Sequence, residues 1–286
     1  MKPPACLLLP AVLGGLLLSA VTAAAADAEP VPDAFGFTLV PNAFSANPRL
    51  AMTVFTEMTD YGRSLPPVSA AAPVYFAAHD HGRQSEGEMV GESVFPTPAG
   101  LQETLFQALA VNGYQPVPAG QAPGLVLIYY WGSHNAMNDQ EQIQMFPEQH
   151  HRQMLDRAML VGGSTYRRKL ADEFAYGYTF ADRLPKQAFL FNQVSQDVYF
   201  VVVSAYDHAE LAAGRRQLAW RTTMTVSTTG IAMRDALPPL VVTAGNYFGH
   251  ETGEPVAILR RARRGTVALG PLRIIEDHAQ TDLARK

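Results

Sequence analysis

Apolar residues recur along this chain with two different spacings, which separate the expected strands from the expected helices. Short apolar or alternating runs bounded by Gly, Pro and polar residues are typical of strands. They predict strands near 50–55, 74–78, 125–131, 197–206 and 217–227, and one or two more within 256–275. The run 125–131 is continuously apolar, which predicts burial on both faces, whereas 217–227 alternates and predicts a half-buried partner of 197–206. Polar residues in 82–88 predict an exposed loop, and those in 207–214 a hairpin connection.

Helical spacing is clearest after Thr97, a residue type that caps helices, with Pro98 at the first helical position and Gly113 as the stop signal. Its apolar stripe consists of Leu101, Leu105, Ala108 and Leu109. A second helix is predicted over 165–184, where apolar residues recur at steps of three and four. A further helix is expected to begin near Pro238 or Pro239 and to stop at Gly249. Pro147 should interrupt any helix in the glutamine-rich stretch before 165.

These elements predict one α/β (α+β) domain over 49–286, in which a mixed β-sheet packs against helices in a sandwich. Residues 136–190 are polar and helix-compatible and separate two strand-rich parts, so they are interpreted as a helical insertion packed across the sheet. A lid over a pocket is the alternative for this insertion. Residues 27–48, rich in Pro, Ala and Asn, are expected to form an extended lead-in.

The N-terminal 26 residues have the pattern of a secretory signal peptide. Lys2 precedes an apolar run without charge, and small residues follow at 22–26. Cleavage is expected after Ala26 or after Ala28. The alternative is a membrane anchor, but the run is broken by Pro10 and is shorter than the roughly 20 apolar residues of a spanning helix. The chain is therefore predicted to be exported, to the periplasm or beyond, with no transmembrane segment in the mature form.

Composition excludes several classes of chemistry. Cys6 is the one cysteine and lies inside the predicted signal, so the mature chain would have no thiol nucleophile, cysteine-based zinc site or disulfide. The net charge of −4 argues against a nucleic-acid partner, which would demand a basic excess. No phosphate-binding loop or dinucleotide fingerprint occurs, and no cofactor is expected.

Histidines are the candidates for a metal site, because neutral imidazole is a common ligand. His79 and His81 stand two apart at a strand end, which would put both rings on one face. His134 and His150 are the other candidates. No H-E-x-x-H or related spacing occurs, so solvated histidines are the default interpretation and no metal is expected.

Ser133 and His134 are the catalytic candidates, because they follow a predicted central strand, where sites of α/β proteins often form. The stretch lacks the G-x-S-x-G elbow, since Trp131 and Asn135 occupy the positions that need glycine. A turn that hydrogen-bonds its own backbone is the competing interpretation.

Two groups of residues suggest binding surfaces. The basic group Arg260, Arg261, Arg263 and Arg264 would suit anionic lipid or polysaccharide, or would keep a strand edge soluble. The aromatic group Tyr129, Tyr130, Trp131, Tyr176, Tyr178 and Phe180 would line a ligand groove or belong to the core.

Two stretches resemble exported bacterial envelope proteins and lipoproteins. Residues 105–131 look like their helix-Gly-Tyr-strand unit, and 197–227 are similar to their paired strands, with the marks Asp207, Gly214 and Trp220. The resemblance implies an α/β domain with an envelope role and no known catalysis. The chain departs from that pattern in having no lipoprotein cysteine and in carrying the 136–190 insertion.

The leading hypothesis is thus an exported, non-enzymatic envelope protein that binds a protein or another envelope component. The alternative is a periplasmic hydrolase, with or without a metal, whose site lies near 131–135. It requires Ser133 or His134 to meet His79, His81 or His150. A small-ligand binder that uses the aromatic group is the third hypothesis, and it requires an enclosed apolar pocket in place of a solid core.

Overall fold

A computed structural model describes residues 47–87, 94–137, 139–176 and 184–262. The predicted signal peptide, nearly all of the lead-in, and residues 263–286 lie outside these described residues. The strands are β1 (Arg49–Met58), β2 (Val74–Glu86), β3 (Tyr114–Pro116), β4 (Leu125–His134), β5 (Val198–Asp207), β6 (Leu218–Ser227) and β7 (Val256–Arg261). The helices are α1 (Asp60–Ser64), α2 (Pro98–Ala110), α3 (Gln140–Met145), α4 (Pro147–Tyr176), α5 (Pro185–Ser195), α6 (His208–Ala212) and α7 (Met233–Ala244).

The strands form a seven-stranded mixed sheet in the order β3-β2-β4-β5-β6-β1-β7. β2 pairs in parallel with both β3 and β4, and the remaining neighbours are antiparallel. The mixed α/β class is therefore as expected from the sequence, and the predicted pairing of 197–206 with 217–227 is confirmed as β5 with β6.

One face of the sheet packs against α2 and α7. The predicted cap and start of α2 are confirmed, because Thr97 Oγ1 accepts a hydrogen bond from Gly100 N and Pro98 opens the helix. The α2 stripe is buried with Leu237, Leu240 and Val241 of α7 against Leu127 and Val203 of the sheet. The main core therefore lies on this face.

The other face is partly covered by α4, which contacts β1 and β6. Because of this contact, the prediction that only one face of β6 would be buried is wrong. Thr223 and Thr225 are buried, and Thr225 Oγ1 lies 2.5 Å from Thr53 Oγ1 of β1. Paired hydroxyls let threonine sit in a core without an unmet hydrogen bond, so a polar residue type was a poor guide to exposure here.

Several predicted boundaries were wrong. Residues 82–86 continue β2 past an irregularity between Asp80 and Arg83, and residues 132–134 continue β4. On β4 itself Val126, Ile128 and Tyr130 are only half-buried, so burial on both faces was wrong for its first half. In place of a simple hairpin turn, α6 joins β5 to β6.

Helix α7 begins at Met233, before the two prolines that were expected to start it. Pro238 and Pro239 lack the N–H groups that would bind the carbonyls of Arg234 and Asp235. Those two residues are exposed, so water can satisfy their carbonyl groups. Burial of Met233, Ala236 and Leu237 favours the longer helix.

The predicted insertion is helical, and α4 is its main element. Pro147 opens α4 after α3, as its helix-interrupting role predicts. The helix is kinked at Gly162 and Gly163, whose backbone angles are not helical. The part of α4 before the kink was not predicted, and the part after it is the helix predicted from 165, of which residues 177–183 lie outside the described residues. The two parts belong to α4. Met154, Ala158, Val161, Leu170, Leu190 and Val194 form a second cluster between α4 and α5.

Candidate functional site

The end of β4 holds the predicted catalytic pair, and its two side chains point in different directions. Ser133 and His134 are consecutive strand residues, so they face opposite sides of the sheet. Both are buried. Ser133 Oγ lies 3.4 Å from Ser85 Oγ on the neighbouring strand. The structure does not form a serine–histidine pair from these two residues.

His134 instead contacts a buried arginine. Arg157 on α4 is fully buried, and its Nη1 lies 3.3 Å from His134 Nδ1. The same guanidinium donates to the carbonyl of Val194, at 2.6 Å from Nε, and to that of Asn135, at 3.1 Å from Nη1. Val194 lies in the last turn of α5, where the helix dipole favours a cation. Arg157 therefore joins the insertion to the sheet, and we call His134 and Arg157 the histidine–arginine contact.

Burial controls the ionisation of this contact. It lowers the pKa of His134, the nearby Arg157 charge lowers it further, and Glu86 and Asp156 act in the opposite direction. Burial also lowers the pKa of Arg157 to about 10, which leaves the guanidinium charged at neutral pH. A neutral His134 whose Nδ1 accepts from Arg157 must carry its proton on Nε2, which lies 3.0 Å from Glu86 Oε2.

The predicted metal candidates do not form one site. His79 and His81 are exposed on β2 with ring centroids 6.4 Å apart. His150 lies on α4, where burial and the Arg157 charge lower its pKa. Across the described ranges, no group of three or more His, Cys, Asp or Glu side chains is arranged to hold a metal ion.

The described residues of the predicted aromatic group are dispersed, and half of the predicted basic group lies outside the described residues. Tyr129 and Trp131 are core residues, whereas Tyr176 is 79% exposed on α4. Tyr178 and Phe180 lie outside the described residues, as do Arg263 and Arg264. Arg260 Nη1 donates to Thr243 Oγ1 of α7, so it is engaged within the fold.

A pocket of about 750 Å³ lies at the opposite end of the sheet, near the start of β4 and the end of β5. We call it the Trp220 pocket. Its apolar wall includes Leu65, Pro66, Pro67, Val68, Tyr114 and Trp220. The polar lining consists of Arg63, Asp207 and His250. An apolar pocket of this size with a few polar groups is typical of a small-molecule site.

Close packing of Tyr114 shapes one side of the Trp220 pocket. Its ring lies 5.4 Å from that of Trp220, and burial raises the pKa of Tyr114 to about 12, so its hydroxyl stays neutral. Gly249 has a φ of +70° and meets this hydroxyl so closely that a Cβ would lie 1.9 Å from it. Glycine is therefore needed at 249, because of the positive φ and because there is no room for a side chain beside the Tyr114 hydroxyl.

Asp207 is the carboxylate of the pocket. Its Oδ2 accepts from Tyr61 Oη at 2.6 Å and its Oδ1 from Glu210 N at 2.8 Å. These hydrogen bonds, that of Tyr61 first, lower the pKa of Asp207. The same bond to Asp207 is the main cause that raises the pKa of Tyr61 to about 12. Asp207 is therefore ionised at neutral pH.

No local residue pattern predicted the Trp220 pocket. Its lining comes from the loop after α1, from β3, the strand ends and the segment after α7, which are far apart in sequence. Asp207 and Trp220 were singled out in the sequence, but as features of the paired strands and not as site residues. Arg157 was also missed, because a single arginine on a polar helix gives no sign that it is buried.

Comparison with known proteins identifies no family. No family model matches the chain, and no curated protein matches it. Among solved structures, it is similar to a PDZ domain protein from Parabacteroides distasonis at 10% identity and a TM-score of 0.38, over 74% of this chain and 39% of that one. The chain thus spans well under two thirds of that structure's length, and a likeness this low supports no functional argument.

Proposed function

We propose that the protein is an exported, non-enzymatic binding protein of the bacterial cell envelope, and that its ligand occupies the Trp220 pocket. We retain, as part of this proposal, the arrangement predicted from the sequence, in which the mixed sheet packs against helices in a sandwich. The pocket is the observation that carries it, because an apolar concavity of about 750 Å³ is large enough for a small molecule or for apolar groups of a larger component.

The candidate catalytic residues favour a binding role over the hydrolase alternative. Hydrolysis by Ser133 would need a base within hydrogen-bond reach of its hydroxyl. The contact of that hydroxyl is Ser85, and His134 lies on the other face of the strand against Arg157. Neither residue lines the Trp220 pocket.

The lining of the Trp220 pocket also fits a binding role. Pro66 and Pro67 add rigid apolar surface, which lowers the conformational entropy lost when a ligand binds. Trp220 and Phe248 have ring centroids 6.1 Å apart, and Trp220 also packs on Tyr114, so the aromatic wall is held in place from two sides. A preformed wall of this kind binds without a large rearrangement.

A filling substitution tests this proposal. Val68 lines the pocket, so the larger side chain of Val68→Phe should occupy part of its volume. We expect this variant to bind an uncharged fluorescent probe, N-phenyl-1-naphthylamine, about tenfold or more weakly than the parent. The parent should bind the probe saturably at one site per chain, measured by fluorescence titration. Circular dichroism and urea unfolding establish that the variant is folded.

Val111→Phe is the matched control, because Val111 is 62% exposed at the end of α2 and is not part of the pocket lining. It should leave the affinity for the probe unchanged. Absence of saturable binding to the parent, or equal affinity in the parent and in Val68→Phe, would contradict the proposal.

A further inference from the structure

We propose that the ligand of the Trp220 pocket is an amphipathic organic cation, with its apolar body against Trp220 and its ammonium or amidinium group near Asp207. This inference rests on the proposed function and adds the chemical class of the ligand. Three properties of the pocket support it: the position of one carboxylate, the charges around the mouth, and the aromatic wall.

The carboxylate of Asp207 lies on the same side of the sheet as the apolar wall. Ala205 of β5 is paired with Trp220 of β6, and Asp207 stands two residues further along β5, so it faces the same way as Ala205. The pairing of Asp207 with Leu125, another lining residue, gives the same placement. A ligand on the Trp220 wall therefore has a carboxylate beside it.

Asp207 keeps acceptor capacity after its contacts within the fold. A carboxylate offers about four lone-pair sites, and Tyr61 Oη, Glu210 N and the backbone N–H of Ala209 use one each. Within the described part of the chain, no arginine or lysine forms an ion pair with Asp207. An ionised carboxylate at an apolar pocket without such a partner favours a cationic ligand.

The charges around the pocket mouth act in the same direction. Arg63 is held by Asp60 at 2.9 Å and by Glu251 at 2.7 Å, so its charge is already compensated. Arg215 is held by Glu210. Of the two charged residues that line the pocket, Arg63 is therefore compensated by two carboxylates, and Asp207 is compensated by no arginine or lysine of the described chain.

The aromatic wall suits a cation better than an anion. Trp220 and Tyr114 both line the pocket, where 2% and 3% of their surfaces are exposed, and the faces of such rings carry negative electrostatic potential that favours a nearby cation. Trp is the best aromatic partner for a cation, and quaternary ammonium groups are recognised in this way. An anionic head group would instead be repelled by the Asp207 carboxylate and by the negative potential of these rings.

Three probes with one apolar chain and different head groups test the inference. Octyltrimethylammonium, octan-1-ol and octyl sulfate are compared by their displacement of N-phenyl-1-naphthylamine. We expect the cation to bind about tenfold or more tighter than the sulfate, with the alcohol between them. Asp207→Asn should bring the cation-to-sulfate ratio close to one. High salt should shrink the ratio for the parent, because ions screen the charges at an open pocket.

Two variants control for side effects of Asp207→Asn. Asp139 is another N-cap aspartate, whose side chain accepts from Glu141 N at 2.9 Å, and it does not line the pocket. Asp139→Asn should therefore keep the preference for the cation. Tyr61→Phe removes the hydrogen bond to Asp207 but keeps the carboxylate, so the preference should persist.

The outcomes separate this inference from the proposed function. Equal binding of all three probes, or tighter binding of the sulfate, overturns the inference while the pocket remains a ligand site. Failure of all three to displace a bound N-phenyl-1-naphthylamine also overturns the inference, whereas absence of saturable binding of N-phenyl-1-naphthylamine itself overturns the proposed function. If Asp207→Asn does not fold, the test is the cation-to-sulfate affinity ratio of the parent and of Tyr61→Phe. A ratio near one for both proteins would count against a cationic ligand.

Discussion

Arg157 lies where a charge is costly to bury, and its surroundings offset that cost in three ways. The carbonyls of Val194 and Asn135 accept its hydrogen bonds, and the Asp197 and Asp156 charges favour its protonated form. His134 offers a neutral nitrogen as a further partner. Removal of the Arg157 guanidinium would leave the carbonyls of Val194 and Asn135 without this donor, which costs several kcal/mol.

The histidine–arginine contact predicts how stability depends on pH. The pKa of His134 is lower in the folded protein than its usual 6.5, mainly through burial and then through the Arg157 charge; Glu86 and Asp156 oppose this shift. The unfolded chain therefore binds more protons just below pH 6.5. The contribution of neutral His134 to the free energy of unfolding is therefore complete above pH 6.5, and it is lost as the pH falls from there towards the pKa of His134 in the folded protein. Urea unfolding at pH 7.5 and 5.5 should show a smaller loss of stability in His134→Gln than in the parent.

His81→Gln is the control for this prediction, since His81 is exposed on β2 and makes no contact with Arg157. It should keep the pH dependence of the parent. An identical loss of stability in the parent and in His134→Gln would show that protonation of His134 is not coupled to folding.

At the scale of elements, the glycine pair in α4 decides how closely the helix crosses the sheet. Gly163 has φ +66° and ψ −163°, a conformation that is almost exclusive to glycine. A Cβ there would lie 2.4 Å from Phe55 Cε1 and 2.7 Å from Glu57 Oε1. The kink and the absent side chain together let α4 approach β1.

Substitution of Gly163 should therefore loosen the packing of α4 on β1. Gly163→Ala is expected to lower the free energy of unfolding by about 3 kcal/mol, from backbone strain and overlap together. Gly253 has the same φ of +66° but open space around it. Gly253→Ala should therefore cost about 1 kcal/mol, the strain alone. Urea unfolding measures both values, and equal costs would mean that contact with the sheet is unimportant.

At the scale of the whole molecule, the Trp220 pocket and the histidine–arginine contact lie at opposite ends of β4. Leu125 lines the pocket and His134 ends the strand nine residues later, a separation of about 30 Å. Substitutions at sites this far apart have additive effects as a rule. No helix in the described part of the chain is long and apolar enough to cross a membrane.

Export is a prediction for the whole chain. Protein recovered from the periplasm of an expressing bacterium should have lost the first 26 or 28 residues, because a signal of this pattern is removed on export. Native mass spectrometry measures the cleavage site and any small molecule that remains bound. A mass that includes Met1 would contradict cleavage.

Local residue patterns determined several elements of this protein on their own. Thr97, Pro98 and the α2 stripe were sufficient to place a helix, because capping and amphipathic spacing act within a few residues. The β5–β6 pair was predicted because apolar and alternating runs separated by a short connection pair with each other. The sequence suggested His134 as a candidate site residue, but it did not suggest that His134 would contact Arg157.

The exposure of the second sheet face, the burial of Arg157 and the existence of the Trp220 pocket depend on contacts between segments that are distant in sequence. Thr223 and Thr225 look like exposed strand residues until α4 covers them. The pocket needs Val68, Tyr114, Asp207 and Trp220 to meet from separate elements. Contacts between distant segments depend on how the layers pack, and a local pattern of residue types contains no information on that packing.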